Sequence, residues 1–326
     1  MGCYAQVAAR EIEQMPGVTQ VLGNDSKRLL SYSGEDRTRT FFKVQDGCDY
    51  FCTYCAIPYA RGRSRAATLE ETLRAARRIA EGGAKEVILT GVNTGTFPGF
   101  LDLLRGLDAI GGILRYRISS IEPNLLTDDI IRFVASSRAF LPHFHVPLQA
   151  GSDHVLQLMH RRYDTDLYRR KAERIKELMP DACIAADIMA GFNGENEEEF
   201  AKTLEYVESL PISYLHVFTY SDRPGTAALR LGEKVPVPVR REHTARLLEL
   251  SEKKHRSFIE SQLGKTRPVL WESTPHSPLS TLHSPLMQGW TDNYIRVSRP
   301  YDPQLVNAVE EVTLTHDNIA KEAASE

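Results

Sequence analysis

Three cysteines stand close together in Gly47-Cys48-Asp49-Tyr50-Phe51-Cys52-Thr53-Tyr54-Cys55, in the spacing C-x-x-x-C-x-x-C. Three thiolates on one loop can ligate three irons of a four-iron, four-sulfur cluster and leave the fourth iron open. An open iron can chelate a small molecule through amino and carboxylate groups. Other chemistries use the same residue type. A structural zinc site needs a fourth ligand, and Cys183 is the cysteine that could complete the set. A redox pair of Cys52 and Cys55 leaves Cys48 without a role, and covalent haem needs a histidine where the chain has Ala56.

Such a loop needs a scaffold. From Phe41 onward, apolar runs of strand length alternate with helical periodicity. The pattern predicts strands at Phe41 to Gln45, Glu86 to Thr90, Arg115 to Ser119, Phe144 to Leu148, Cys183 to Met189 and Tyr214 to Phe218. It predicts helices at about Leu69 to Glu81, Leu101 to Ala109, Asp128 to Ser136, Asp153 to Met159, Asp166 to Met179 and Glu197 to Leu210. This alternation implies an α/β fold of parallel βαβ units. Over residues 41 to about 220 it fits a (β/α)6 partial TIM-type barrel better than a closed eightfold barrel, which takes about 250 residues. The cysteine loop then follows the first strand, on the face where such barrels carry their sites.

The flanks are expected to be separate pieces. Residues 1–40 hold a helical run from Val7 to Gln14, a short apolar strand after Pro16-Gly17 and a polar linker from Ser31 to Thr40, too little for an independent core. They read as an arm or the remnant of an upstream domain. Residues 41–263 form the main domain, ending in a long charged helix, Arg240 to Leu263, whose charges suit a solvated face and which Gly264 stops. Residues 264–326 read as a small C-terminal β-barrel, with strands at Pro268 to Trp271, Tyr294 to Ser298 and Glu311 to Thr315 around a Pro/Ser/His-rich loop, Ser273 to Pro285. A hydrophobic content of 42% leaves ample core, and no apolar run approaches the roughly 20 residues of a membrane helix. A cytoplasmic protein with no membrane partner is expected. The net charge of −3 gives no global attraction to nucleic acid, so RNA binding would rest on local basic patches.

Polar groups gather at the predicted strand ends. Thr90-Gly91-Val92-Asn93 follows the second strand, where glycine lets the backbone approach a ligand or simply makes a turn. Ser119, Ser120 and Glu122 end the third. His143, His145, Pro147 and Gln149 share one face by the period of two, and Ser152 is placed to cap the next helix. The two histidines read as core or rim groups before metal ligands. Asp187 lies at the end of the fifth strand, and the residues through Arg223 end the sixth. Cys183 reads as a small buried hydrophobe. Arg61, Arg63 and Arg65, if extended, give a basic face beside the cysteines suited to phosphates, and Arg161-Arg162-Tyr163 is similar.

With Tyr54 before the last cysteine, these stretches resemble the methylthiotransferase family of radical S-adenosylmethionine enzymes. The residues carrying the resemblance are Gly2-Cys3-Tyr4-Ala5-Gln6, the cysteine loop with Ala56 to Gly62, Leu89 to Asn93, Arg117 to Pro123, Pro147-Leu148-Gln149 and His216-Val217-Phe218. Gly289 to Val297 is similar to the family's RNA-binding TRAM barrel. The branch most resembled adds a methylthio group at carbon 2 of N6-threonylcarbamoyladenosine beside the tRNA anticodon. The resemblance implies a 4Fe-4S cluster on Cys48, Cys52 and Cys55, and S-adenosylmethionine contacted by Asn93, Ser120, Glu122, Gln149 and Asp187, with Arg223 lining the pocket. It also implies tRNA as partner, an electron donor such as flavodoxin or ferredoxin, and a second 4Fe-4S cluster carrying the sulfur.

The family holds that second cluster with three N-terminal cysteines, of which this chain keeps Cys3. An N-terminally truncated form or a misplaced start is therefore expected, with radical generation retained and sulfur insertion impaired. Ala150 and Asn193 replace the family's Ser and Pro in the pocket stretches. Two other readings remain: a tRNA- or protein-binding module that has lost catalysis, and methylthiolation of a ribosomal-protein aspartate.

Overall fold

The computed structural model describes residue 6 and residues 8–21, 29–33, 38–272 and 286–320. Its centre is a set of parallel strands laid side by side in chain order. β1 (Ser31–Tyr32) is an antiparallel edge on β2 (Arg39–Lys43). Beyond it, β3 (Gln45–Asp46) and β4 (Arg65–Ala66) pair across the cysteine loop. β2 runs parallel to β5 (Glu86–Thr90), and β5 to β6 (Arg115–Ile118). β7 (His143–His145), β8 (Cys183–Ala190) and β9 (Tyr214–Thr219) form a second parallel group. The backbone of Tyr116 bonds Ala139 and Leu141, and Ile121 N donates to His145 O at 3.1 Å, which joins the groups into one curved wall. Among the described residues nothing pairs β9 back to β2, so the wall is the expected (β/α)6 partial barrel with an open side.

The helices that cover the wall begin where side chains replace missing hydrogen bonds. The Leu69–Glu81 helix opens with a capping box between Thr68 and Glu71 and buries Thr72, Ala75, Ala76 and Ile79, one face at the helical period. Thr127, Ser152, Asp164 and Asn196 cap the helices Asp128–Ser136, Asp153–Leu158, Thr165–Leu178 and Glu197–Ser209 in the same way. The Phe100–Asp108 helix completes the outer layer.

The long helix, Val237–Gln262, differs from the expectation of a solvated charged rod. It buries Arg240, His243, Leu247, Ser251, Phe258 and Gln262. Arg240 donates to the carbonyls of Val235 and Tyr220, and its side chain fills the place a Cβ on Gly191 would need, 2.3 Å away. A buried guanidinium is tolerated because carbonyls receive its protons.

The C-terminal region is a four-stranded antiparallel sheet in the order β12-β11-β10-β13, from β10 (Thr266–Trp271), β11 (Leu286–Thr291), β12 (Arg296–Pro300) and β13 (Val309–Thr313). The sequence pattern missed β11, whose Gly289 sits under Val269 and Trp271 with no room for a side chain. This sheet docks on the lower, N-terminal end of the barrel strands. Arg115 and Arg117 donate to the carbonyls of Trp290, Thr291 and Asp292 at 2.7 to 3.0 Å. Glu86, fully buried, lies 2.8 Å from Arg115 and 2.9 Å from Arg117. Cys183 packs here with Trp271, Val269 and Met287.

Two N-terminal expectations change. Ser31 and Tyr32, read as linker, form the edge strand. Residues 18–21, read as a strand, have no regular structure, whereas the first helix is present as Ala9–Glu13. Cys3 and the loop from Ser273 to Pro285 lie outside the described residues.

Candidate active site

The cysteine loop leaves β2 and turns back at Gly47, whose φ of +72° is open to glycine and whose Cβ would meet the Arg63 carbonyl at 2.0 Å. Cys48 N donates to Gly62 O, Thr53 N and Oγ1 to the carbonyls of Met159 and Leu158, and Ala228 N to Thr53 O. Three separate segments therefore pin the loop. Burial raises the cost of ionising all three thiols, Cys52 adds to that cost at Cys48, and Cys52 with Cys48 adds to it at Cys55, which is pushed up to about 11. Thiolates in that setting are costly unless cationic iron comes with them.

The zinc alternative fails on geometry. Its fourth ligand, Cys183, begins β8 and is buried against the C-terminal sheet at the other end of the barrel, where burial lifts its thiol to about 12.

Around the loop stand groups that the strand-end pattern singled out. Asn93 is buried, and neither amide atom finds a hydrogen-bonding partner at proper geometry, although the Tyr50 hydroxyl is near. An orphaned buried amide of this kind suits a polar ligand. Ser120 offers its carbonyl to Thr94 Oγ1 at 2.9 Å. Gln149 takes the left-handed conformation, φ +67°, and its N donates to Asp187 O at 2.8 Å. Asp187 is not free, since its Oδ1 lies 2.7 Å from His145 Nε2. Arg223 is exposed and close enough to Cys55 to favour its thiolate.

Glu122 is also engaged. It pairs with Arg161, which at the same time donates to Cys52 Sγ at 3.1 Å and to the Tyr54 hydroxyl at 3.2 Å. Burial raises the Glu122 carboxyl pKa, and Arg161 opposes the shift. Arg161 is thus not a phosphate contact, as the sequence reading had it, but the cation that faces the cysteine loop from below. Arg162 is held over the Tyr50 ring at 4.1 Å.

The expected basic face is likewise not formed. Arg61, Arg65 and Lys43 converge on the buried carboxylate of Asp46 at 3.0, 3.7 and 3.5 Å, and Arg63 alone of the three arginines is widely exposed. A helix, Ile57–Arg61, interrupts the segment that extension would have aligned.

Two residues here take structural roles that the sequence reading did not assign them. Gln45 donates its amide to Gly47 O at 2.8 Å and Ser64 Oγ at 2.9 Å, and accepts from Val92 N and Asn93 N, each at 2.9 Å. One side chain thus joins the cysteine loop to the Asn93 turn. Tyr163 donates to the Pro147 and Leu148 carbonyls and receives Arg161. The replacement Asn193 has a structural part, donating to Ala228 O at 2.8 Å.

Open thiols at the strand ends of a six-stranded partial barrel define a class. The family model described as the radical SAM superfamily matches residues 42–207, half of the chain, and the chain belongs to that superfamily. Threonylcarbamoyladenosine tRNA methylthiotransferase MtaB of Bacillus subtilis (strain 168) is 33% identical over 91% of this chain and 73% of its own. The tRNA-2-methylthio-N(6)-dimethylallyladenosine synthase of Desulfitobacterium hafniense (strain Y51) is 31% identical over 90% of this chain and 66% of its own. Within the superfamily, the chain is a member of the methylthiotransferases. A solved structure of the radical S-adenosylmethionine methyltransferase TsrM from Kitasatospora setae superposes with a TM-score of 0.51 at 16% identity, covering 58% of this chain and 38% of that one, a likeness of fold.

Proposed function

We propose that this chain carries out the radical step of a tRNA methylthiotransferase whose substrate is N6-threonylcarbamoyladenosine beside the anticodon. The observation that carries the reading is the convergence of the Cys48, Cys52 and Cys55 thiols, buried or half-buried on one loop, with an unpaired Asn93 amide at the C-terminal ends of the barrel strands. Cys48, Cys52 and Cys55 would hold a 4Fe-4S cluster, and Asn93, Ser120, Glu122, Gln149, Asp187 and Arg223 would surround S-adenosylmethionine. When bound, that pair supplies hydrogen-atom abstraction from an unreactive C–H bond. The residues of the chain do the rest. Gln45 keeps the Asn93 turn in register with the cysteine loop, and Arg161 sets Glu122 and supports the charge on the Cys52 sulfur.

Threonylcarbamoyladenosine is favoured over dimethylallyladenosine by the polar lining of the inner wall, where His145, Asp187 and His216 cluster within 4.8 Å. An apolar substituent would bury the His216 ring without a partner, His145 and Asp187 already being bonded to each other. Acting on tRNA places the protein in the cytoplasm. No described helix is long and apolar enough to cross a membrane.

The test is anaerobic reconstitution followed by reaction with dithionite, S-adenosylmethionine and threonylcarbamoylated tRNA. The expected result is about four irons per chain and release of deoxyadenosine, both lost when Cys48, Cys52 or Cys55 is changed to Ala and kept in Cys183→Ala. Bound zinc without sulfide, or no deoxyadenosine from a cluster-loaded chain, would overturn the reading.

A further inference from the structure

The open side of the barrel ends at β9, and a cavity of about 820 Å³ wraps that edge between the long helix and the C-terminal sheet. Volumes of this order accept a nucleoside with its substituent. Its lining side chains that carry a permanent charge are Glu252, Arg256, Glu260 and Arg296. Two arginines face two glutamates, so the lining has no strong net field, and recognition of a charged ligand must come from individual donors.

His216 stands at the inner end of this cavity. Its ring meets Tyr214 edge-on, centroids 5.2 Å apart at 88°, and lies tilted against His145, 5.2 Å apart at 56°. The residue is exposed, its backbone is paired in the β8–β9 ladder, and its ring is hydrogen-bonded to no described side chain. Its strand neighbour Asp187 is occupied by His145 at 2.7 Å. The inner wall therefore holds one imidazole fixed in orientation, with polar edges unspent, where cavity and barrel interior meet.

We infer that His216 is the specificity residue of the substrate pocket, donating a hydrogen bond to the carboxylate that the N6 substituent carries. The assignment rests on the proposed tRNA substrate and deepens it, because a carboxylate is what separates a threonylcarbamoyl group from a dimethylallyl group. A donor matched to a carboxylate discriminates strongly against an analogue that cannot accept the bond, since the donor is then buried unpaired. The same three side chains match a two-histidine, one-carboxylate metal set in number. His145 Nε2 is already turned onto Asp187, however, and a metal would have to replace the proton shared there.

The experiment measures binding of fluorescent anticodon stem-loops to the cluster-loaded protein with S-adenosylmethionine present. Three RNAs differ at one base: threonylcarbamoyladenosine, its methyl ester and unmodified adenosine. The wild-type protein is expected to prefer the free acid over the ester by roughly tenfold or more. His216→Phe, which keeps the ring packing, should bring the acid down to the ester and leave unmodified RNA unchanged, and His216→Gln should restore part of the preference. A preference that persists in His216→Phe overturns the assignment, as does an equal loss for all three RNAs, which marks a structural role. Loss of the wild-type preference on adding EDTA overturns it in favour of a metal. If the wild-type protein binds the three RNAs alike, the proposed substrate itself fails.

Discussion

The two ends of the barrel treat polar groups in opposite ways. At the lower end, Glu86 is clamped between Arg115 and Arg117, and Arg115 Nη2 with Arg117 Nη1 and Nη2 donates to three carbonyls of the C-terminal sheet, although Arg115 Nη1 finds no partner among the described residues. His143 also keeps both ring nitrogens unbonded, and burial with Arg117 nearby holds its pKa well below the usual value, so it stacks on Tyr294 as a neutral ring. At the upper end, the Asn93 amide is buried with both polar atoms unspent, beside three buried or half-buried thiols that no disulfide engages. An unpaired buried polar group costs about 1–3 kcal/mol. The lower end avoids much of that cost through its own chain, whereas the upper end keeps it for a ligand to offset. The contrast separates a docking interface from a binding site without reference to any relative.

Breaking the lower end should have the larger effect. Glu86→Gln leaves two buried guanidinium groups without their counter-charge, and losing one partner of such a network costs about 3–5 kcal/mol. Urea unfolding should show that loss, with iron content per folded chain unchanged after reconstitution. If iron binding fell in proportion to stability, the two ends would be coupled and the contrast would be wrong.

At the upper end, Gln45→Glu is the sharper probe. A carboxylate still accepts from Val92 N and Asn93 N but faces the Gly47 carbonyl without a proton to give. A loss of about 1–3 kcal/mol is expected. It should appear more in weakened S-adenosylmethionine binding, read by calorimetry, than in the iron content held by the cysteines. An unchanged affinity would remove Gln45 from its positioning role.

The smallest effect concerns pH. His243 lies between Glu195 and Glu197 at 3.0 and 3.1 Å, and Glu195 in turn accepts from Gly191 N in the turn after β8. Burial works against the charged imidazole, but the two carboxylates outweigh it and raise the His243 pKa. A raised histidine pKa adds stability that is full below the unfolded value of about 6.5 and is lost as pH rises through the folded value. Stability should therefore decline over that window, by less than about one proton's worth of slope, and His243→Gln should flatten it.

Much of the architecture was legible in the sequence. Helix starts were marked by local chemistry, such as Thr68 with Glu71 and Ser152 before Asp153, and the ligand loop by a spacing within eight residues. The arginine triplet was misread because an extended conformation was assumed where Ile57–Arg61 is helical, and Asp46 then gathered the charges.

By itself, then, the sequence determined the alternating scaffold, the cysteine loop after its first strand and the set of strand-end polar residues, all properties of neighbours along the chain. Tertiary structure alone decided that Arg161 reaches Cys52 from 109 residues away, that Gln45 receives Asn93 N from 48 residues away, and that Arg117 holds carbonyls more than 170 residues downstream. Each is a long-range hydrogen bond from a residue type that is ordinarily solvated. Periodicity and propensity report how a segment meets water, not which distant group will replace that water.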